Sequence, residues 1–164
     1  MERHDISDEL AAAGAQELLA SAALARLAYT GTDGTPRVIP VAFFWTGDQV
    51  VICTAATAPK VAALSARPDV ALTIDAGETP AQARALSVRG RASVEIVSGV
   101  PEEYLAGARK VMDTAAAARF GQSCRELYDQ MARIAITPRW ARYYDFGAGR
   151  VPRFLQDLAG RARP

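Results

Sequence analysis

Thr54-Ala55-Ala56-Thr57-Ala58-Pro59-Lys60 is the stretch of this chain whose residue types and spacing could do chemistry. Two hydroxyls and a lysine fall where an apolar strand ends and a helix opens. The first N–H groups of a helix have no partner inside it, and its dipole makes that end positive. Hydroxyls, free N–H groups and an ammonium gathered there form a place to hold a phosphate. The chemistry expected is therefore retention of a phosphorylated ligand on a β-sheet.

Other chemistries are poorly supplied. His4 is the single histidine, and it lies on a terminus expected to fray. A Ser-His-Asp or Cys-His arrangement, a histidine metal site and a histidine general base each need an imidazole inside the fold. Reactivity is therefore expected from a bound cofactor rather than from a catalytic side chain, and no catalytic or metal-ligating residue is assigned. The two cysteines, Cys53 and Cys124, are far apart and match no metal spacing. Cys53 sits in an apolar strand and reads first as a small buried hydrophobe. With 19 basic and 18 acidic side chains the net charge is +1, so the electrostatic footprint of nucleic-acid binding is missing. No apolar run approaches the roughly 18 residues of a membrane span. Met1 to Asp5 is followed by no apolar core of a signal peptide, which makes the cytoplasm the expected compartment.

The elements that must position the Thr54–Lys60 stretch follow from periodicity and turn chemistry. Ser7 before Asp8 and Glu9 predicts a first helix running to about Ser21. Strands are expected over Leu24–Thr30, Pro36–Trp45, Gln49–Thr54 and Val70–Asp75, with a short helix through Val61 and Leu64 that stops at Arg67-Pro68. Pro40 lacks a ladder donor and marks an edge, a bulge, or backbone facing something other than a strand. Leu86–Val97 is a further strand, in which Gly90 suggests a bulge or a close backbone approach. Helices are expected from Val100 to roughly Arg119 and from Gln122 to about Met131. Arg133–Thr137 is a strand that Pro138 interrupts before Trp140–Phe146, and Val151–Leu158 is a last short helix. Six or seven strands joined largely by tight turns imply an antiparallel, mainly β barrel with about five helices attached, in a single domain over 1–164. Strands apolar on both faces suggest that a second subunit covers the sheet.

In this order and spacing the motifs resemble those of the FMN-binding split-barrel proteins grouped with pyridoxamine 5′-phosphate oxidase, and especially their actinobacterial FMN- or deazaflavin (F420)-binding branch. Asp33-Gly34-Thr35-Pro36 looks like the family's opening hairpin. Arg37-Val38-Ile39-Pro40-Val41 resembles its second strand, Val88-Arg89-Gly90-Arg91-Ala92 its central strand, and Arg133–Pro138 with Tyr144–Gly147 its closing strands. The resemblance implies a Greek-key-like split β-barrel with helices at the N-terminus, 57–66, 101–131 and the C-terminus. It implies FMN as cofactor, with F420 as the alternative, bound between two copies of the chain in a homodimer. The cofactor contacts it implies are Val38, Ile39, Pro40, Val41, Cys53, Thr54, Thr57, Lys60 and Arg89. The activity it implies is a flavin-dependent oxidoreductase acting on a small molecule, with a non-enzymatic flavin or F420 carrier or sensor as the alternative. Three positions depart from the family pattern. Ala58 and Pro59 stand where a serine and often an arginine precede the lysine. Phe43 stands where the oxidases use a lysine, and no histidine follows Arg150-Val151-Pro152.

Overall fold

The computed structural model describes residues 3–161; the expectation about the His4 side chain lies outside the described residues. The chain runs α1 (Arg3–Ala11), α2 (Ala13–Ser21), β1 (Ala25–Thr30), β2 (Pro36–Val41), β3 (Phe44–Trp45), β4 (Val50–Ala55), α3 (Pro59–Ala66) and β5 (Asp69–Ala76). A single 3-10 turn at Pro80–Gln82 leads to β6 (Arg84–Ser98), α4 (Glu102–Arg109), α5 (Thr114–Leu127), β7 (Gln130–Asp145) and α6 (Arg153–Arg161). The seven strands form one antiparallel sheet in the order β2-β1-β5-β6-β7-β4-β3.

Two strands consecutive in sequence, β2 and β3, occupy opposite ends of that order. Seven strands laid flat at about 4.8 Å spacing would separate those ends by roughly 29 Å. Only Ala42 and Phe43 link them, and three Cα–Cα steps reach at most about 11 Å. The sheet must therefore curl until its two edges meet, which makes it a barrel split along the β2–β3 seam. Phe43 in the link is 2% exposed and packs into the barrel core. The core is built from inward residues such as Leu27, Ile52, Leu72, Val88 and Ile134, and is plugged by Leu18 and Leu19 of α2 and Leu64 of α3.

The expected first helix is two helices. Ala12 is extended (φ −55°, ψ 133°), and the Gln16 amide donates to the Leu10 carbonyl at 2.7 Å, satisfying one of the orphan ends at the break. The break lets α1 lie along β7 while α2 enters the barrel. Gly14, in the first turn of α2, sits against the Tyr143 hydroxyl with no room for a Cβ. The α1 end is held by Glu9, 8% exposed, whose carboxylate accepts from the Tyr143 N–H at 2.8 Å, Arg142 at 3.0 Å and Arg150 at 2.5 Å. The long helix expected to reach Arg119 ends ten residues sooner, and α5 begins at Thr114 because the Asp113 carboxylate accepts from the Ala116 N–H at 2.7 Å. Residues 130 and 131, expected as helix, belong to β7. No helix among the described residues is long and apolar enough to cross a membrane.

Pro138 does not interrupt β7. Gly90 pairs with Pro138 and Arg89 with Trp140, which leaves Arg139 opposite no residue. This is the bulge that Gly90 suggested. The extra residue reverses the side-chain phase of the strand. Ile134 and Ile136 point inward before it, Ala141 and Tyr143 after it. A Cβ on Gly90 would lie 2.6 Å from the Thr137 carbonyl oxygen and 2.9 Å from the Ile136 side chain. Both belong to the wall of the barrel and cannot move freely. Gly90→Ala should therefore lower the unfolding free energy by about 1–3 kcal/mol, read from urea denaturation; a variant as stable as the parent would show that the crossing tolerates a side chain.

Lys110, just past α4, lies 3.5 Å from the centre of the Phe43 ring and donates to the Leu19 and Ala22 carbonyls at 3.0 and 3.5 Å. It thereby caps the C-terminal end of α2 beside the barrel seam. Burial pushes its ammonium down to about 8 from an ordinary 10.5. Between those values the unfolded chain binds more protons than the folded one, so stability should rise as pH increases from about 8 to 10.5. Urea titrations across that window should show the increment in the parent and its loss in Lys110→Met.

Candidate functional site

The segment from β4 into α3 forms a tight hinge. The Ala58 N–H donates to the Ala55 carbonyl at 3.0 Å, and the Val61 N–H to the Ala58 carbonyl at 2.9 Å. Pro59 opens α3, where its missing N–H and preset φ suit the first helical position. Ala58 precedes it as the N-cap and has no side chain to accept from the first turn. Lys60 turns back over the end of β4 and donates to the Thr54 hydroxyl at 3.3 Å. Half-buried, it is shifted below its ordinary value by burial alone. Among the described residues no carboxylate pairs with it. The structure thus brings together Thr54 and Lys60, with Thr57 exposed on the same turn. An uncapped helix start, a hydroxyl and an unpaired lysine share one small space. An anion placed there would offset the cost of burying the ammonium.

Cys53 is the neighbour of Thr54 in sequence but not in site. Val50 and Ile52 face the barrel core, so Thr54 shares their face and Cys53 points to the other. There it lies under α4, near the Glu103–Arg133 ion pair (2.8 Å). Burial first, and Glu103 second, push its thiol up to about 12. The same packing shows what residues 101–131 do. The α4 helix covers the outer faces of β3 and β4, and Gly107 rests on the Phe43 backbone. This region stands on the far side of β4 from Lys60.

The second-strand residues divide by the same alternation. Ile39 and Val41 pack against the core, whereas Val38 and Pro40 face out. The β2 strand pairs only with β1, so Pro40 lies on an edge strand. Val38 and Arg89 meet in an open groove of about 510 Å3 on the outer face of β2, β1, β5 and β6. Ala28, Ala71 and Tyr29 also line it, together with Arg37, Asp69 and Arg139. Arg89 stacks over the Trp140 ring at 4.4 Å. The nine residues expected at one cofactor site therefore fall in separate places: Thr54 and Lys60 at the barrel end, Val38 and Arg89 in the groove, Cys53 beneath α4. Arg150, near the C-terminus, is tied to Glu9 and donates to the Tyr143 carbonyl at 2.9 Å. Sequence reasoning missed Tyr29 and Arg139. The signal for Arg139 was present in Gly90 and Pro138, because a bulge between them leaves the following residue unpaired.

The family model for pyridoxamine 5′-phosphate oxidase matches residues 12–145. No curated protein matches the chain. Among solved structures, a conserved hypothetical protein from Mycobacterium tuberculosis is similar with a TM-score of 0.61 at 19% identity, over 93% of this chain and 89% of that one. An F420 reductase is similar with a TM-score of 0.57 at 24% identity, over 77% of this chain and 94% of that one. The heme storage protein of Vibrio cholerae has a TM-score of 0.54 at 18% identity, over 76% and 87%. At these identities the likeness is one of fold.

The position of Cys53 carries its own test. A thiol held near 12 has almost no thiolate at neutral pH, and the thiolate is the nucleophile. Iodoacetamide at pH 7.5 should leave Cys53 unmodified in the folded protein and alkylate it in urea, as read by peptide mass. Rapid labelling of the native protein would contradict this placement.

Proposed function

The chain belongs to the pyridoxamine 5′-phosphate oxidase family, and from that premise we propose that it is an FMN-binding oxidoreductase acting on a small molecule. The observation that carries the reading is Lys60, half-buried beside the Thr54 hydroxyl at the uncapped start of α3, with no carboxylate partner among the described residues. These groups fit a phosphate. Thr54 and Lys60 hold its oxygens, and Thr57 lies on the same turn within reach of the solvent side. When bound, the flavin supplies a ring that accepts or donates a hydride or electrons. The chain's contribution is position: the anchor at the hinge fixes one end of the ligand, and the rigid barrel wall limits where the rest can lie. The anchor contains a hydroxyl and an ammonium but no carboxylate or imidazole, so proton transfer is left to the ligand, the substrate or water.

On the outer face of β2, β1, β5 and β6, Val38 is 67% exposed. A second copy of the chain placed over that face would bury it and complete the cofactor site between subunits. This homodimer is part of the proposal.

F420 is the second reading, supported by Ala58 and Pro59 in place of a serine and an arginine and by the fold likeness to an F420 reductase. FMN ends in a phosphate monoester with a charge of about −1.5 to −2 near neutral pH. A phosphodiester carries one negative charge at the phosphate itself, which a single lysine can balance.

Lys60→Ala should weaken FMN or F420 binding by roughly ten- to a hundredfold, the loss of one charge-assisted contact, while the melting temperature stays close to that of the parent. Flavin fluorescence titration reads the affinity. Unchanged affinity would remove Lys60 from the site, and a protein that binds neither cofactor would overturn the assignment.

A further inference from the structure

The last helix, α6, carries apolar and basic side chains that the fold does not use. From Val151 onward the sequence holds Arg153, Arg161 and Arg163 against Asp157, a net +2 in a chain whose total is +1. The helix buries none of its side chains. Phe154 is 63% and Leu158 56% exposed, and Leu155 is only partly buried. It lies across a cleft from Trp140, Arg142 and Tyr144 of β7. That position is outside the β2, β1, β5 and β6 face assigned to the second copy.

Successive residues of an α-helix are rotated by about 100°, which sets Phe154 and Leu158 about 40° apart and Leu155 about 60° further round. The three form one apolar stripe. Arg161 falls beside Phe154 on the other border, with Asp157 and Arg153 beyond it. A helix apolar along one stripe and basic along its border suits the plane of a lipid surface. Phenylalanine and leucine enter the acyl boundary there, while arginines keep their guanidinium groups among the headgroups. The guanidinium fork matches lipid phosphate. A second copy of the same helix fits this face less well. An isologous contact between two α6 helices would set their arginines against each other.

We propose that α6 is a docking element for an anionic lipid surface. Phe154 and Leu158 enter the interface, Arg153 and Arg161 bind lipid phosphates, and the barrel stays outside the bilayer. The helix is short, so docking is weak and reversible, and its strength follows the share of anionic lipid. The protein would lie on a membrane without spanning it. This reading is independent of the flavin assignment.

The test sediments the full-length protein, without added cofactor, with vesicles of phosphatidylcholine alone or of phosphatidylcholine mixed with phosphatidylglycerol. The protein should pellet with the mixed vesicles at low salt, be released by added sodium chloride, and stay in solution with phosphatidylcholine alone. The double variant Arg153→Gln with Arg161→Gln should weaken the partition by roughly tenfold, from two lost headgroup contacts. Phe154→Asp should weaken it by a similar factor of about ten, since a charge replaces the inserted ring. Arg119→Gln, an exposed charge on α5, should leave it unchanged. Melting temperature and circular dichroism should match the parent in every variant, because α6 buries nothing. No pelleting with the mixed vesicles, binding indifferent to Phe154 and to the arginine pair, or an equal loss in Arg119→Gln would overturn the proposal. A Phe154→Asp protein that changes oligomeric state by gel filtration would assign the stripe to a second copy and overturn it too.

Discussion

The two-residue link between β2 and β3 is the constraint on which the rest of the molecule depends. It ties together the two ends of a seven-stranded sheet, and the backbone has no length to spare. Curling converts one face of every strand into an interior that is filled by β-branched and leucine side chains, α2 and Phe43. The hydrophobic effect then holds closed what the covalent link brought near. It also explains why Lys110 and Gly107 both press on Phe43: the seam has no ladder of hydrogen bonds between β2 and β3, so packing across it must do that work.

Closure imposes a second requirement, because the longest strands, β6 and β7, must bend round the barrel while keeping apolar residues inward. A strict period of two cannot satisfy this along all of β7. The bulge at Arg139 shifts the phase, and Gly90 gives the room for the two strands to come close where they cross. The residue that restores the inward phase of Ala141 and Tyr143 is also the one that lines the outer groove beside Arg89.

Strand alternation also sorts the chemistry of β4. Thr54 and Cys53 are adjacent, yet one faces the lysine at the barrel end and the other lies partly buried beneath α4. The hydroxyl accepts from Lys60. The thiol is held far above neutral pH by burial and by Glu103, and so packs as a small hydrophobe. Neighbours in sequence are not neighbours in chemistry when the backbone is extended.

Local signals were enough for most strands, the α3 hinge and the Thr54–Lys60 pair, but not for the break at Ala42 and Phe43 that divides the expected strand Pro36–Trp45 into β2 and β3. Turn residues, apolar runs and a proline at a helix start depend on interactions within a few residues, and five intervening positions suffice to bring that hydroxyl and ammonium together. Antiparallel order and the Gly90 bulge were legible for the same reason. The break at Ala12 and the start of α5 at Thr114 were not. The first is stabilised by Gln16 and by the docking of Gly14 on Tyr143, more than a hundred residues away; the second was signalled by Asp113, which the alanine run after it concealed. The division of Val38, Cys53, Lys60 and Arg89 among separate surfaces was likewise a decision of tertiary structure. Which face of a strand meets the core depends on register across strands remote in sequence, and a shift of one residue exchanges inside for outside.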